Sequence, residues 1–101
     1  MATSNLDGGD PAVRTWRVSV SVLPKAGVND PEGESILGGL QSLGFSTARR
    51  VRAGRTFVVD VVAASSAEAA AQATNMAERL LANPVIQRFE IDHVEPLSNS
   101  D

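Results

Sequence analysis

Between Thr15 and Leu23 the chain alternates without a break. Trp16, Val18, Val20 and Val22 fall on one side, and Arg17, Ser19 and Ser21 on the other. A period of two over that length fits a β-strand with one face in a core and the other in water. A helix would scatter the same valines around its whole circumference. The period returns where Phe57, Val59 and Val61 alternate with Val58, Asp60 and Val62, and again where Phe89, Ile91 and His93 alternate with Arg88, Glu90 and Asp92. Several half-buried strands have to make a sheet, and the apolar face of that sheet needs a cover.

Two helical stretches can supply it. Asp30 offers a carboxylate to free N–H groups at a helix start, and Pro31 fits the first turn, where its missing donor costs nothing. Ile36, Leu37, Leu40 and Leu43 then form an apolar stripe, and Gly44 is the expected left-handed terminator. Ser65, with Glu68 three positions later, predicts a capping box at the head of an Ala-rich helix. Its stripe is Ala69, Ala73, Met76, Ala77 and Leu80. Asn83, which tolerates the left-handed conformation, and Pro84 stop that helix just ahead of the last strand. Ser46 to Arg52 and Arg55 to Ala63 read as two strands of a hairpin turning at Ala53-Gly54. The order is strand, helix, strand, strand, helix, strand. It predicts an α+β ferredoxin-like domain, an antiparallel sheet with two helices on one face. Val58 and Val62 would lie on the uncovered face, which predicts a homodimer or higher homo-oligomer.

A chain of 101 residues makes one small domain, set here at residues 14–95, with residues 1–13 and 96–101 as flexible tails poor in anything to bury. Aromatic residues are 4% of the chain, so small aliphatic side chains must fill the core. The net charge of −3 gives no electrostatic reason to expect nucleic acid or an anionic membrane as partner. With no cysteine there is neither a disulfide, nor a thiolate metal site, nor a thiol nucleophile. The first residues have no apolar run of the kind a signal peptide or membrane anchor needs, so a cytoplasmic location is the expectation.

Residues that could carry chemistry are few. His93 is the single histidine, and strand alternation sends it to the face opposite Asp92, away from a shared metal or substrate. Arg49, Arg50, Arg52 and Arg55 concentrate basic charge on the expected hairpin, with Arg50 and Arg52 on one side and Arg49 on the other. Guanidinium groups there suit solvated positions, an acidic partner or a phosphate. Lys25 lies in the loop after the first strand, as a solvated charge or a contact to a subunit or ligand. Gly38 and Gly39 inside the first helix each cost about 0.5–1 kcal/mol relative to alanine. They fit close packing on the sheet, a tolerated weak helix, or a partner contact. The stretch Gly54 to Val59 faintly resembles an RNA-recognition strand, but its one ring, Phe57, belongs to the buried alternation. No phosphate-binding loop, nucleophile elbow or metal-spaced carboxylate cluster is present.

Five short segments, in order and at their separations, carry a resemblance. They are Pro24-Lys25-Ala26-Gly27-Val28, Asp30-Pro31-Glu32-Gly33, Leu43-Gly44-Phe45, Val51-Arg52-Ala53-Gly54-Arg55 and the junction Leu80 to Ile86 around Asn83-Pro84. Together they make the chain, from about Trp16 to Val94, similar to the PurS family, the small subunit of bacterial phosphoribosylformylglycinamidine synthase. The resemblance implies a subunit without catalytic residues, cofactor or metal of its own. Such a subunit works with a PurQ-like glutaminase subunit and a PurL-like synthetase subunit, which uses ATP and magnesium. The complex converts formylglycinamide ribonucleotide, ATP and glutamine into formylglycinamidine ribonucleotide, ADP, phosphate and glutamate in purine biosynthesis. The small subunit then bridges its partners and assists ammonia transfer between them. On that reading Lys25, Arg50, Arg52, Arg55, Asn83 and Pro84 are candidate partner contacts, and Val58 and Val62 candidate dimer contacts. The same order of elements also occurs in amino-acid-sensing regulatory domains that bind small molecules, which is the alternative.

Overall fold

The computed structural model describes residues 13–97; the remainder of the two expected tails lies outside the described residues. Three strands, β1 (Arg14–Pro24), β2 (Arg55–Ala63) and β3 (Gln87–Pro96), form an antiparallel sheet in the order β2-β1-β3. Helix α1 (Pro31–Ser42) follows β1, and helix α2 (Ser66–Met76) follows β2 and runs on into a π-helical turn at Ala77–Leu81. β3 continues through Pro96, and the Leu97 N–H bonds to the Thr15 carbonyl at 2.9 Å.

The strand with the most regular alternation takes the centre. Val18 and Val20 are 0% exposed, and Val22 is equally enclosed beneath Ala69 and Ala73 of α2 and Ala77 of the π turn. Alanine on the helix and valine on the sheet let backbone approach backbone, and each buried valine contributes about 1.5–3 kcal/mol. Trp16 closes one margin, its indole Nε1 donating to the Ala63 carbonyl at 3.0 Å. Because β2 and β3 both run antiparallel to β1, they are parallel to each other, and α2 is the crossover that joins them over the sheet. The expected capping box heads it: Ser65 Oγ accepts from the Glu68 N–H at 3.1 Å, and Glu68 Oε1 accepts from the Ala64 N–H at 3.1 Å.

The antiparallel sheet stands with a helix on one face, and four local expectations change. Of the two helices, α2 packs on all three strands, whereas α1 makes no comparable contact with any of them. The Ser46 to Arg52 stretch makes no ladder; its Ala48 carbonyl and Arg52 side chain, and the Ala53 N–H beyond it, bond instead to α1, to the end of β1 and to the loop before α1. Gln41 Nε2 donates to the Ala48 carbonyl, Arg52 donates to the Pro24 carbonyl, and the Ala53 N–H donates to Asp30. Ala53-Gly54 is therefore no hairpin turn. The chain passes straight into β2, and Gly54 runs so close to the Val22 carbonyl that a side chain there would overlap it.

The other two changes are register effects. In the π turn the Ala82 N–H reaches back five residues to the Ala77 carbonyl. The extra residue turns Leu81 inward and leaves Leu80 83% exposed. Asn83 has no left-handed backbone; the helix ends where Ala82 becomes extended. In β3 a bulge opposite Ser19 and Val20 inserts Asp92 as an unpaired residue. Val94 then replaces His93 on the core side, and His93 joins Asp92 on the open face.

Gly54→Ala is expected to destabilise the domain by about 1–3 kcal/mol, since the Val22 backbone cannot move aside without breaking the sheet. Urea unfolding should show a lower midpoint with unchanged slope, and an unchanged midpoint would refute the close approach.

Candidate functional site

The end of the sheet where β1 finishes and β2 and β3 begin gathers most of the singled-out residues. The Lys25 N–H donates to the Ile86 carbonyl at 2.9 Å, and Lys25 Nζ reaches the Pro84 carbonyl. Asn83 makes its own turn: its Oδ1 accepts from the Val85 N–H at 3.0 Å, and its carbonyl accepts from Ile86 and Gln87. On the other flank Arg52 Nη1 donates to the Pro24 carbonyl at 3.3 Å. Asp30 ties the two flanks of α1 together. Its Oδ1 accepts from the Gly33 N–H at 3.1 Å, which caps the helix, and its Oδ2 from the Ala53 N–H at 2.9 Å. Gly33 is buried against the Val51 carbonyl and has no room for a side chain.

These contacts hold the Asp30 carboxyl below the usual aspartate range. The Ala53 N–H contributes most, then the Gly33 N–H, with the Arg52 charge adding to both against partial desolvation. The same clasp shapes an open cavity of about 330 Å3, whose charged lining is Lys25, Asp30, Glu34, Arg50 and Arg52. A second cavity, about 270 Å3, lies on the far side of Lys25 between the π turn and β3, lined by Glu78, Ala82, Pro84 and Arg88 among others. Lys25 divides the two.

Of the residues proposed from sequence, Lys25, Arg50, Arg52, Asn83 and Pro84 thus come together at one end of the domain. Lys25 and Arg52 are spent on backbone carbonyls, whereas the side chains of Arg50 and Glu34 on the cavity wall have no hydrogen bond or ion pair among the described residues. Arg49 and Arg55 are exposed outside this cavity, so the basic group divides. Arg50 and Arg52 share a side as alternation predicts, although the stretch is not a strand.

Val58 and Val62 sit elsewhere, 59% and 61% exposed on the open sheet face. Their surroundings there are polar. Asp60 pairs with Arg17 through two hydrogen bonds, at 3.0 and 3.2 Å, and the Arg17 contact lowers its pKa. Ser21 donates to Asp92, and His93 Nε2 lies 3.2 Å from Glu95 Oε1. Sequence reasoning missed the Asp30 clasp and the bulge at Asp92. The first could have been suspected from an Asp-Pro-x-Gly cap whose glycine is unneeded for a helix start; the second left no signal in the alternation.

A small α+β domain that gathers both signs of charge around open clefts, with no cluster of three metal-ligating side chains among its described residues, has the character of a docking subunit. The comparisons agree. The profile of PurS, Phosphoribosylformylglycinamidine (FGAM) synthase, matches residues 17–95. The PurS subunit of Archaeoglobus fulgidus is 46% identical over 67 residues, covering 66% of this chain and 84% of that protein. The Synechocystis PurS subunit is 37% identical over 81 residues, covering 78% and 79%. The solved PurS of Thermus thermophilus superposes with a TM-score of 0.75 at 28% identity, covering 83% of this chain and 99% of that one. A chain of the Thermotoga maritima PurLQS structure gives 0.69 at 26%, covering 82% and 98%. The chain belongs to the PurS family, the small subunit of phosphoribosylformylglycinamidine synthase. Four of the five segments that carried the resemblance meet at the clasped end, and the fifth, Leu43-Gly44-Phe45, forms the far end of α1.

Folding lowers the Asp30 pKa, so the stability due to its charge is complete above the ordinary aspartate value of 3.8 and is lost as pH falls through the folded value. Asp30→Asn should therefore be less stable than wild type at pH 7, and the gap should close below about pH 4. A gap independent of pH, measured by thermal unfolding across that range, would assign Asp30 a purely steric part.

Proposed function

We propose that this chain is the non-catalytic accessory subunit of a phosphoribosylformylglycinamidine synthase complex in purine biosynthesis. It bridges a glutaminase and a synthetase and helps ammonia pass from one to the other. The observation that carries this reading is the convergence of the family-matching segments on one clasped end, where charged groups stand ready for a partner. Glutamine hydrolysis by a thiolate is impossible in a chain without cysteine, so that step belongs to the glutaminase. Phosphoryl transfer with ATP and magnesium belongs to the synthetase. The Thermotoga relative is part of a PurLQS assembly, which supports the same division of labour.

Lys25, Arg50, Arg52, Arg55, Asn83 and Pro84 form the surface offered to the larger subunits. Arg50 and Glu34 make its free charges, and Lys25 and Arg52 hold its shape. Val58 and Val62 are the open-face contacts, and the chain acts as a homo-oligomer. None of its described helices is long and apolar enough to cross a membrane, in keeping with work in the cytoplasm.

Reconstitution from purified subunits tests the role. Glutamine-dependent synthesis should fall at least tenfold when this chain is left out, and the isolated chain should turn over nothing. Equal glutamine-dependent rates with and without it would end the bridging role. Arg50→Glu should weaken capture of the larger subunits about tenfold or more, the scale of a lost charged contact at an interface. The domain itself should unfold as wild type does, since Arg50 has no hydrogen bond or ion pair among the described residues.

A further inference from the structure

The stretch from Ser46 to Ala53 is fastened to α1 at two places. The Ala53 N–H donates to Asp30 at the head of the helix, and Gln41 Nε2, near its other end, donates to the Ala48 carbonyl at 3.1 Å. Between these ties lies the cavity of about 330 Å3, with Glu34 and Gly38 on its helix wall and Arg50 and Arg52 on the other. A cleft whose two walls are pinned before anything enters loses little freedom on binding. Its volume is at the lower end of the range for small-molecule sites.

The charges around it are only partly used. Asp30 accepts two backbone N–H groups, and Lys25 and Arg52 each donate to a backbone carbonyl. Arg50 and Glu34 remain, one of each sign, on the same cavity and without an ion pair among the described residues. Gly38 is an independent sign of an occupant. It sits inside α1, where glycine weakens a helix. A Cβ there meets nothing within 4 Å, so packing inside the domain does not require this glycine, whereas a Cβ at Gly33 would strike the Val51 carbonyl. A side chain at position 38 would take up space in the cavity. A molecule lying close to the helix backbone one turn beyond Glu34 does require the glycine. Val28 and Leu37, both half-buried, supply the apolar part of the lining.

We propose that this cavity binds a free α-amino acid, its carboxylate on Arg50, its ammonium on Glu34 and its side chain over Gly38. A guanidinium presents paired N–H donors to a carboxylate, and Arg52, which gives one donor to Pro24, has others to add from the same side. An anion alone would satisfy Arg50 and be opposed by Glu34, and a cation alone would meet the reverse. A zwitterion answers both. Such binding belongs to the single chain and does not depend on the bridging role.

Titration calorimetry on the full chain tests the site with glycine, L-alanine, L-leucine and L-glutamine. At least one should bind one to one with a dissociation constant below about 1 mM, and its N-acetyl and amide forms, each lacking one charge, at least tenfold more weakly. Arg50→Gln and Glu34→Gln should each weaken binding at least tenfold. Gly38→Leu should abolish binding and yet unfold no earlier than wild type, since it replaces a helix glycine that faces open space. Gly39→Ala, outside the cavity, should bind as wild type does. The site is overturned if no amino acid gives saturable heat at about 10 mM, if the blocked forms bind equally well, or if Gly38→Leu leaves binding unchanged. Inorganic phosphate bound as tightly as the best amino acid, and lost in Arg50→Gln, would mark an anion site and overturn the zwitterion. None of these results touches the bridging role, which reconstitution decides.

Discussion

Everything in this domain hangs on the closeness of α2 to β1. Ala69, Ala73 and Ala77 meet Val18, Val20 and Val22, and all six are buried. Small residues on the helix bring its backbone near the sheet, and valines on the central strand fill the short gap that is left. With only three strands and one helix in the packed layer, little other apolar surface is available, and Val61 and Ala63 complete the centre. The flanking Phe57, Phe89, Ile91 and Val94 pack against this strip and remain half-buried. The core is narrow, and the order of the rest follows from it.

Helix α1 is independent of that core and is fixed by polar contacts instead. Asp30 receives N–H groups from both flanks of the excursion, and Arg52 joins the second flank to Pro24. The clasp converts a long connection between two neighbouring antiparallel strands into a projecting arm of defined direction. Asp30 and Arg52 of the clasp also line the cavity beside Lys25. One carboxylate thus fixes both the start of α1 and the chain that returns from it.

Much of this was legible from residue order. The Asp30 cap, the Gly44 left-handed terminator at φ 99°, the Ser65 cap and the three half-buried strands all appear where local chemistry places them. Each depends on neighbours within a few positions. The failures share a cause. Ser46 to Arg52 has strand-like composition, yet Gln41 and Pro24 take up its polar groups from 7 and 28 residues away. Leu80 fits the helical stripe, yet one additional residue in the turn at Ala77–Leu81 rotates it into water. His93 fits the strand alternation, yet a single bulge reverses the register beyond Asp92. Strand and helix periods extrapolate from residue to residue, and one inserted residue in either ends the extrapolation.

By itself the sequence determined which segments are strands or helices wherever one period runs unbroken, how each helix begins, and the resemblance to the PurS family. Those properties come from steric and hydrogen-bonding preferences that act over one turn or one pleat. Tertiary structure alone decided that α1 projects, that Lys25, Arg52 and Pro84 share one end, and which side of α1 faces water. Such facts depend on which distant carbonyl or N–H wins a given polar group. That competition is settled only when the chain has closed on itself.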